Sequence, residues 1–147
     1  AIIASLCDIR VASPEGSFSI PEINVGIIGG MGPMRRVLPD GVARHMVYTG
    51  DPISAERAHE LGMVSEIAAD AVERATELAG EIAENSPDAL RAARGQIVER
   101  QPEWPIEEYR RERERIDDLR RLPNTEEAAT AFIENREPEF DEPTYEP

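Results

Sequence analysis

The strand-like segments of this chain all lie before residue 68, and this placement limits its fold more than any other feature. Apolar and polar residues alternate over 7–11 and again over 17–20, and a brief extended segment is predicted at 64–67. Because a typical sheet has about four to six strands, three short ones cannot make an independent sheet of the usual size. We expect their sheet partners to lie before Ala1 or on another chain.

Helical periodicity replaces the strand pattern from residue 70 onward. Four helices are predicted, over 70–85, 88–100, 106–122 and 126–135. Asn124 and Thr125 form the predicted N-cap of the fourth. The first helix should pack on an apolar surface, because one of its faces carries a run of apolar residues: Val72, Ala75, Leu78, Ala79, Ile82 and Ala83.

These patterns divide the chain into three parts. Residues 1–68 form a mixed α/β part, and residues 69–140 form a helical region. Residues 141–147 are rich in proline and acidic side chains and are predicted to be a disordered tail.

The charge of the chain is strongly acidic, with 30 acidic and 16 basic residues and a formal net charge of −14. Such a surface repels nucleic acid and anionic lipid, so neither a nucleic acid nor a membrane is expected as partner. All the basic residues are arginine, which excludes Schiff-base chemistry through lysine. We interpret the acidic excess as adaptation to a salt-rich cytoplasm; a GC-rich coding sequence is the alternative explanation for arginine without lysine.

Cys7 is the single cysteine, so the chain cannot form an internal disulfide, and a reduced, cytoplasmic protein is expected. One cysteine and two histidines give no metal-ligand spacing, and no metal site is predicted. The alternation over 7–11 places Cys7 on the buried face of its strand, as an inert core thiol.

Several motifs follow one another in a specific order. The first three are Cys-Asp-Ile-Arg-Val-Ala-Ser at 7–13, Phe-Ser-Ile-Pro-Glu at 18–22 and Gly-Ile-Ile-Gly-Gly-Met-Gly at 26–32. Together with later landmarks at 49–64, 85–87 and 131–140, they resemble the crotonase superfamily of enoyl-CoA hydratases and isomerases. The resemblance implies an α/β fold: the C-terminal part of a crotonase-like spiral of ββα turns, followed by a helical C-terminal region that packs against other subunits in a homotrimer or hexamer.

The resemblance also implies a reaction on an acyl-CoA thioester, whose carbonyl oxygen gains negative charge as an enolate forms. Two backbone N–H groups stabilise that charge. In similar proteins both lie on sequence that this chain does not contain, one of them in a glycine-rich turn directly before the helix that begins here at Ala1. We therefore expect the chain to be a fragment or truncated product that is inactive alone, while its full-length parent is an enzyme. Coenzyme A is implied as part of the substrate, with no further cofactor.

Glu22 matches one of the family's two acid/base carboxylates, which implies a role as general base. The resemblance places Pro21, Gly29, Gly30 and Met31 beside the substrate, and it brings the terminal helix, with Phe132, towards coenzyme A. The alternatives are an exposed loop glutamate, a flexible entry into a helix and simple packing of Phe132.

The second carboxylate of typical hydratases falls on Ile2, which can neither activate water nor carry a proton. A single carboxylate is enough to move a double bond between the β,γ and α,β positions, so isomerase-type chemistry is favoured. Hydration or dehydration with a substitute carboxylate is the first alternative. A catalytically inactive, truncated crotonase-like scaffold is the second.

Overall fold

The computed structural model describes the backbone of residues 1–99 and 105–145, and the side chains of 1–99 and 109–145. The first 68 residues contain short helices and two-residue strands, in this order: α1 (Ile2–Leu6), β1 (Val11–Ala12), β2 (Ser17–Phe18), the 3-10 helix η1 (Pro21–Val25), α2 (Met31–Arg35), α3 (Asp40–Thr49), β3 (Ile53–Ser54), α4 (Ala55–Glu60) and β4 (Glu66–Ile67). Helices follow: α5 (Ala71–Ala83), α6 (Pro87–Glu99), α7 (Pro105–Leu119) and α8 (Pro123–Glu134). The predicted change from mixed α/β structure to helices is confirmed.

The strands of the described residues form two separate pairs. β1 runs parallel to β4, with Val11 opposite Glu66 and Ala12 opposite Ile67. β2 runs antiparallel to β3, with Ser17 opposite Ser54. Each of these sheets has only two strands, and two-stranded sheets are marginal by themselves. That the missing sheet partners lie outside this chain stays a prediction.

The predicted strand over 7–11 is wrong at its start, because β1 begins only at Val11. Cys7 follows α1 directly and is exposed, so its predicted place in the core is also wrong. The cause is Arg10, whose guanidinium donates hydrogen bonds to the carbonyl oxygens of Cys7 and Met63. These bonds hold residues 7–9 in a bend at the end of α1, so the alternating residues do not form an extended strand.

The core lies where α2, α3 and α4 pack together, beside η1. Its fully buried side chains are mostly methionine and alanine, with Ile20 and Val64 from the flanking loops. Ser54 caps α4 by accepting a hydrogen bond from the Arg57 N–H at 3.1 Å, as its position predicts. Gly62, with φ of 80°, lies just after this helix, in the left-handed conformation that commonly ends helices.

Asp70 is the N-cap of helix α5, since its Oδ1 accepts hydrogen bonds from the N–H groups of Val72 and Glu73 at 3.1 and 2.9 Å. The apolar face of α5 packs only in part. An open groove is lined by four α5 side chains, one residue of β1 and one of the bend before it: Ala75, Leu78, Ala79, Ile82, Val11 and Ile9. Val72 lies outside this groove and is 77% exposed.

The residues after α8 turn back along it. Arg136 donates two hydrogen bonds to the Glu127 carboxylate, at 2.5 and 2.9 Å, and the Glu139 N–H donates a third at 2.8 Å. These bonds lower the pKa of Glu127 to about 2. Asp141, the first residue of the predicted tail, exchanges two hydrogen bonds of 2.9 Å with Asn124. Residues 142–145 carry no helix or strand, and 146–147 lie outside the described residues.

None of the described helices is both long and apolar enough to cross a membrane. The described residues also contain no cluster of three or more side chains that could hold a metal ion.

Candidate active site

The 3-10 helix η1 places the Glu22 side chain. It begins at Pro21, whose fixed φ suits the first position of a helix. The preceding residue, Ile20, is only 1% exposed and anchors the turn in the core. Gly26 ends the turn with φ of 74°, a left-handed conformation that favours glycine. The Ile27 N–H then donates to the Glu22 carbonyl oxygen at 3.2 Å. The backbone of Glu22 is therefore fixed by Pro21 before it and by this hydrogen bond after it.

The Glu22 carboxyl group is the unusual feature of this turn. Its Oε2 atom is buried and has no hydrogen-bond partner among the described residues. Leaving a buried polar atom unpaired costs about 1–3 kcal/mol, and more when the group is charged. Such atoms are rare in native proteins, and a catalytic role is one of the explanations for them, beside stored strain and a bound water or ion.

The Glu22 carboxyl group packs directly against the backbone of Gly29. A Cβ atom added at Gly29 would come within 3.0 Å of Glu22 Cγ, 3.2 Å of Cδ and 3.3 Å of Oε1. Gly29 is itself buried. Only a residue without a side chain therefore leaves the Glu22 carboxyl group where it is.

The next residue, Gly30, packs against Ile2 and Ile20. It adopts φ of 73°, and an added Cβ atom would lie 2.9 Å from Ile2 Cγ1 and 3.5 Å from Ile20 Cδ1. Consecutive Cα atoms are about 3.8 Å apart, so Ile2 and Glu22 pack on neighbouring glycines. An aliphatic side chain, Ile2, thus packs on the glycine next to Gly29, and it occupies the position where the resemblance puts a second acid in typical hydratases.

Helix α8 closes the other side of η1. The Thr125 hydroxyl donates a hydrogen bond to the Gly26 carbonyl oxygen at 3.0 Å. The prediction that Asn124 and Thr125 cap the fourth helix is wrong: α8 begins at Pro123, and its N-cap, Leu122, makes no side-chain bond. A threonine before two glutamates indicated a local cap, and its hydroxyl is used instead for a contact with a residue 99 positions away.

The predicted site residues are brought together only in part. Glu22, Gly29 and Gly30 are in one cluster with Ile2. Met31 begins α2 and packs against the core, while Pro21 is exposed at the start of η1. Phe132 lies on α8 with 66% of its surface exposed. The roles of these residues stay predictions.

Comparison with known proteins covers nearly the whole chain. The model of the enoyl-CoA hydratase/isomerase family matches residues 1–143. The chain is 32% identical over 143 residues to the 2,3-dehydroadipyl-CoA hydratase of Escherichia coli, covering 94% of this chain and 56% of that protein. It is 33% identical over 146 residues to a probable enoyl-CoA hydratase of Bacillus subtilis, with the same coverage of each. The chain therefore spans about half the length of the curated relatives it matches.

Solved structures agree with the sequence comparison. The carnitinyl-CoA hydratase from Mycobacterium avium superposes with a TM-score of 0.85 at 28% identity, covering 94% of this chain and 56% of that one. An enoyl-CoA hydratase/isomerase from Pseudoalteromonas atlantica superposes with a TM-score of 0.87 at 21% identity, and the match covers 95% of this chain and 58% of that one. At this identity the match supports the fold alone. The mixed α/β architecture, with its helical second half, is thus that of crotonase-fold proteins. The chain belongs to the enoyl-CoA hydratase/isomerase family, within the crotonase superfamily.

Proposed function

We propose that this chain is the C-terminal portion of a longer acyl-CoA enzyme, in which Glu22 transfers a proton next to the thioester carbonyl. The observation that carries the proposal is the buried, unpaired Oε2 atom of Glu22, whose carboxyl group packs against Gly29 through Cδ and Oε1. A general base needs a free lone pair within reach of a substrate proton. A carboxylate whose hydrogen-bonding capacity is already used would be a poorer base.

The reaction that this arrangement supports best is migration of a double bond between the β,γ and α,β positions. Glu22 removes a proton from the α-carbon, and the C–H electron pair moves towards the thioester oxygen to form a dienolate. The same carboxyl group then returns the proton to the γ-carbon. Charge on the thioester oxygen requires N–H donors, which we assign to the part of the enzyme that precedes this chain. Coenzyme A enters as part of the substrate, and no other cofactor is proposed.

The apolar contact of Ile2 with Gly30 favours isomerisation over hydration. Adding water across a double bond requires a second group to activate that water, and Ile2 offers no lone pair. Hydration or dehydration is nevertheless the second candidate, because relatives carry names such as short-chain-enoyl-CoA hydratase and carnitinyl-CoA dehydratase. It would need another carboxylate near Glu22 from the rest of the enzyme.

An acyl-CoA assay of the complete enzyme separates these candidates. We expect 3-enoyl-CoA thioesters to be converted to 2-enoyl-CoA thioesters of unchanged mass. Hydration of 2-enoyl-CoA would add one water to the product mass, and mass spectrometry distinguishes the two products. Hydration that is faster than isomerisation would overturn the isomerase preference. Turnover of neither substrate series would favour the inactive scaffold.

We further propose that the complete enzyme assembles as a homotrimer or hexamer in the reducing cytoplasm. The exposed apolar residues Phe132 and Ile133 on α8, at 66% and 82%, would be suited to a subunit contact. Light scattering of the complete enzyme would reveal a monomer if this assembly does not form.

Salt should stabilise the chain if its acidic excess is an adaptation to a salt-rich cytoplasm. The net charge of −14 produces self-repulsion that is screened as the Debye length falls from ~10 Å at 0.1 M salt to ~3 Å at 1 M. We expect the midpoint of thermal unfolding, followed by circular dichroism, to rise by several degrees over this range of KCl. A midpoint that stays constant or falls would favour GC-rich coding as the reason for arginine without lysine.

A further inference from the structure

The carboxyl-bearing turn η1 and the distant helix α8 meet at Gly26. The Thr125 hydroxyl donates to the Gly26 carbonyl oxygen at 3.0 Å, and Thr125 is only 8% exposed. Gly26 is the residue that ends η1, and its N–H donates to the carbonyl oxygens of Glu22 and Ile23. A hydrogen bond at Gly26 therefore acts on the same peptide units that orient Glu22.

The two elements approach more closely than side chains would allow. A Cβ atom at Gly26 would lie 2.8 Å from Thr125 Cα and 3.1 Å from Ala128 Cβ. Ala128 and Ala131 continue this face of α8 and are 3% and 1% exposed. Small residues at this spacing let the helix rest directly on the backbone of the turn.

The helix is itself held in place by the residues that follow it. Asn124 is joined to Asp141 by two reciprocal hydrogen bonds, and Glu127 is joined to Arg136 by two more. Both anchored residues flank Thr125 in sequence. The first turns of α8 and the residues after this helix are therefore joined into one unit, which contacts η1 through Thr125 and Ala128.

We infer that Thr125 is a positioning residue for Glu22, acting through the Gly26 carbonyl oxygen. This inference depends on the proposed function of Glu22 as the acid/base group. Without the hydroxyl, the end of η1 loses its tertiary hydrogen bond, and the Glu22 carboxyl group can shift relative to Gly29 and the substrate. Small displacements of a reacting group reduce the rate of the chemical step more than substrate binding.

Thr125→Val in the complete enzyme tests this inference, since valine keeps the shape of threonine and removes only the hydroxyl. We expect kcat to fall about tenfold while KM for acyl-CoA stays within about twofold. Thr125→Ser, which keeps the hydroxyl, should restore most of kcat. Thr130→Val is the matched control, because it makes the same change on the same helix and Thr130 lies outside the η1 contact described above.

A second measurement uses nuclear magnetic resonance of the complete enzyme. With glutamate labelled at the carboxyl carbon, the Glu22 resonance is identified by its loss in Glu22→Gln. Thr125→Val should displace this resonance, while Thr125→Ser and Thr130→Val should leave it in place.

The outcomes separate the inference from the proposed function. If Glu22→Gln abolishes turnover while Thr125→Val has the wild-type kcat and an unmoved Glu22 resonance, the positioning role is wrong and the proposed function stands. Equal losses in the valine and serine variants, with lower thermal stability, would indicate a purely structural role for Thr125. Full turnover in Glu22→Gln would remove the proposed function itself.

Discussion

Glu22→Gln is expected to lower kcat of the complete enzyme by about 10²–10⁴-fold, the usual contribution of a general acid/base group. Glutamine keeps the size of the side chain, and its amide cannot accept the α-proton at neutral pH. Because the change leaves the shape of the site intact, KM for acyl-CoA should change little. Steady-state kinetics with a 3-enoyl-CoA substrate measures both quantities.

The matched control is Glu15→Gln, the same substitution at an exposed residue in the loop before β2. It removes one negative charge at a similar place in the sequence and should keep wild-type kinetics. Full activity in Glu22→Gln would remove Glu22 from the mechanism. Equal losses in both variants would indicate that net charge, and not the position of the carboxyl group, is responsible.

Gly29→Ala is expected to reduce kcat by about tenfold to a hundredfold without unfolding the protein. Gly29 is not among the glycines with positive φ, so alanine fits its backbone. The new methyl group would nevertheless lie 3.0 Å from Glu22 Cγ and 3.2 Å from Cδ, too near for an undisturbed contact. The side chain of Glu22 must therefore move by a few tenths of an ångström or change rotamer. Kinetics and circular dichroism together distinguish this local effect from loss of fold.

Gly41→Ala is the control for this change. Gly41 lies in the first turn of α3, and an added Cβ atom would meet nothing within 4 Å. Alanine should leave kcat unchanged and stabilise the helix by about 0.5–1 kcal/mol. Unchanged kcat in Gly29→Ala, with the fold retained, would show that the reaction tolerates a displaced Glu22.

Patterns that act within a few residues could be predicted from the sequence. Asp70 and Ser54 are residue types favoured at N-caps, and each side chain accepts a hydrogen bond from an N–H only two or three residues away. The motifs around Glu22 also identified the family and made Glu22 the candidate carboxylate, because the order of motifs is a property of the sequence alone. Ile2 could be recognised in the same way as the departure from the two-carboxylate pattern.

Only the tertiary structure decided how these residues meet. Cys7 lies in the bend after α1 because Arg10 binds carbonyl groups from two different segments, and alternation within 7–11 does not reveal such a contact. Thr125 resembles a local cap, yet its hydroxyl reaches Gly26, since burial made that distant carbonyl oxygen the available acceptor. The sequence by itself therefore determined the family, the candidate carboxylate and the order of the helices. The fold decided that Glu22 lies against Gly29, that Ile2 lies on Gly30 and that α8 supports the turn, because each of these depends on long-range packing that no local pattern encodes.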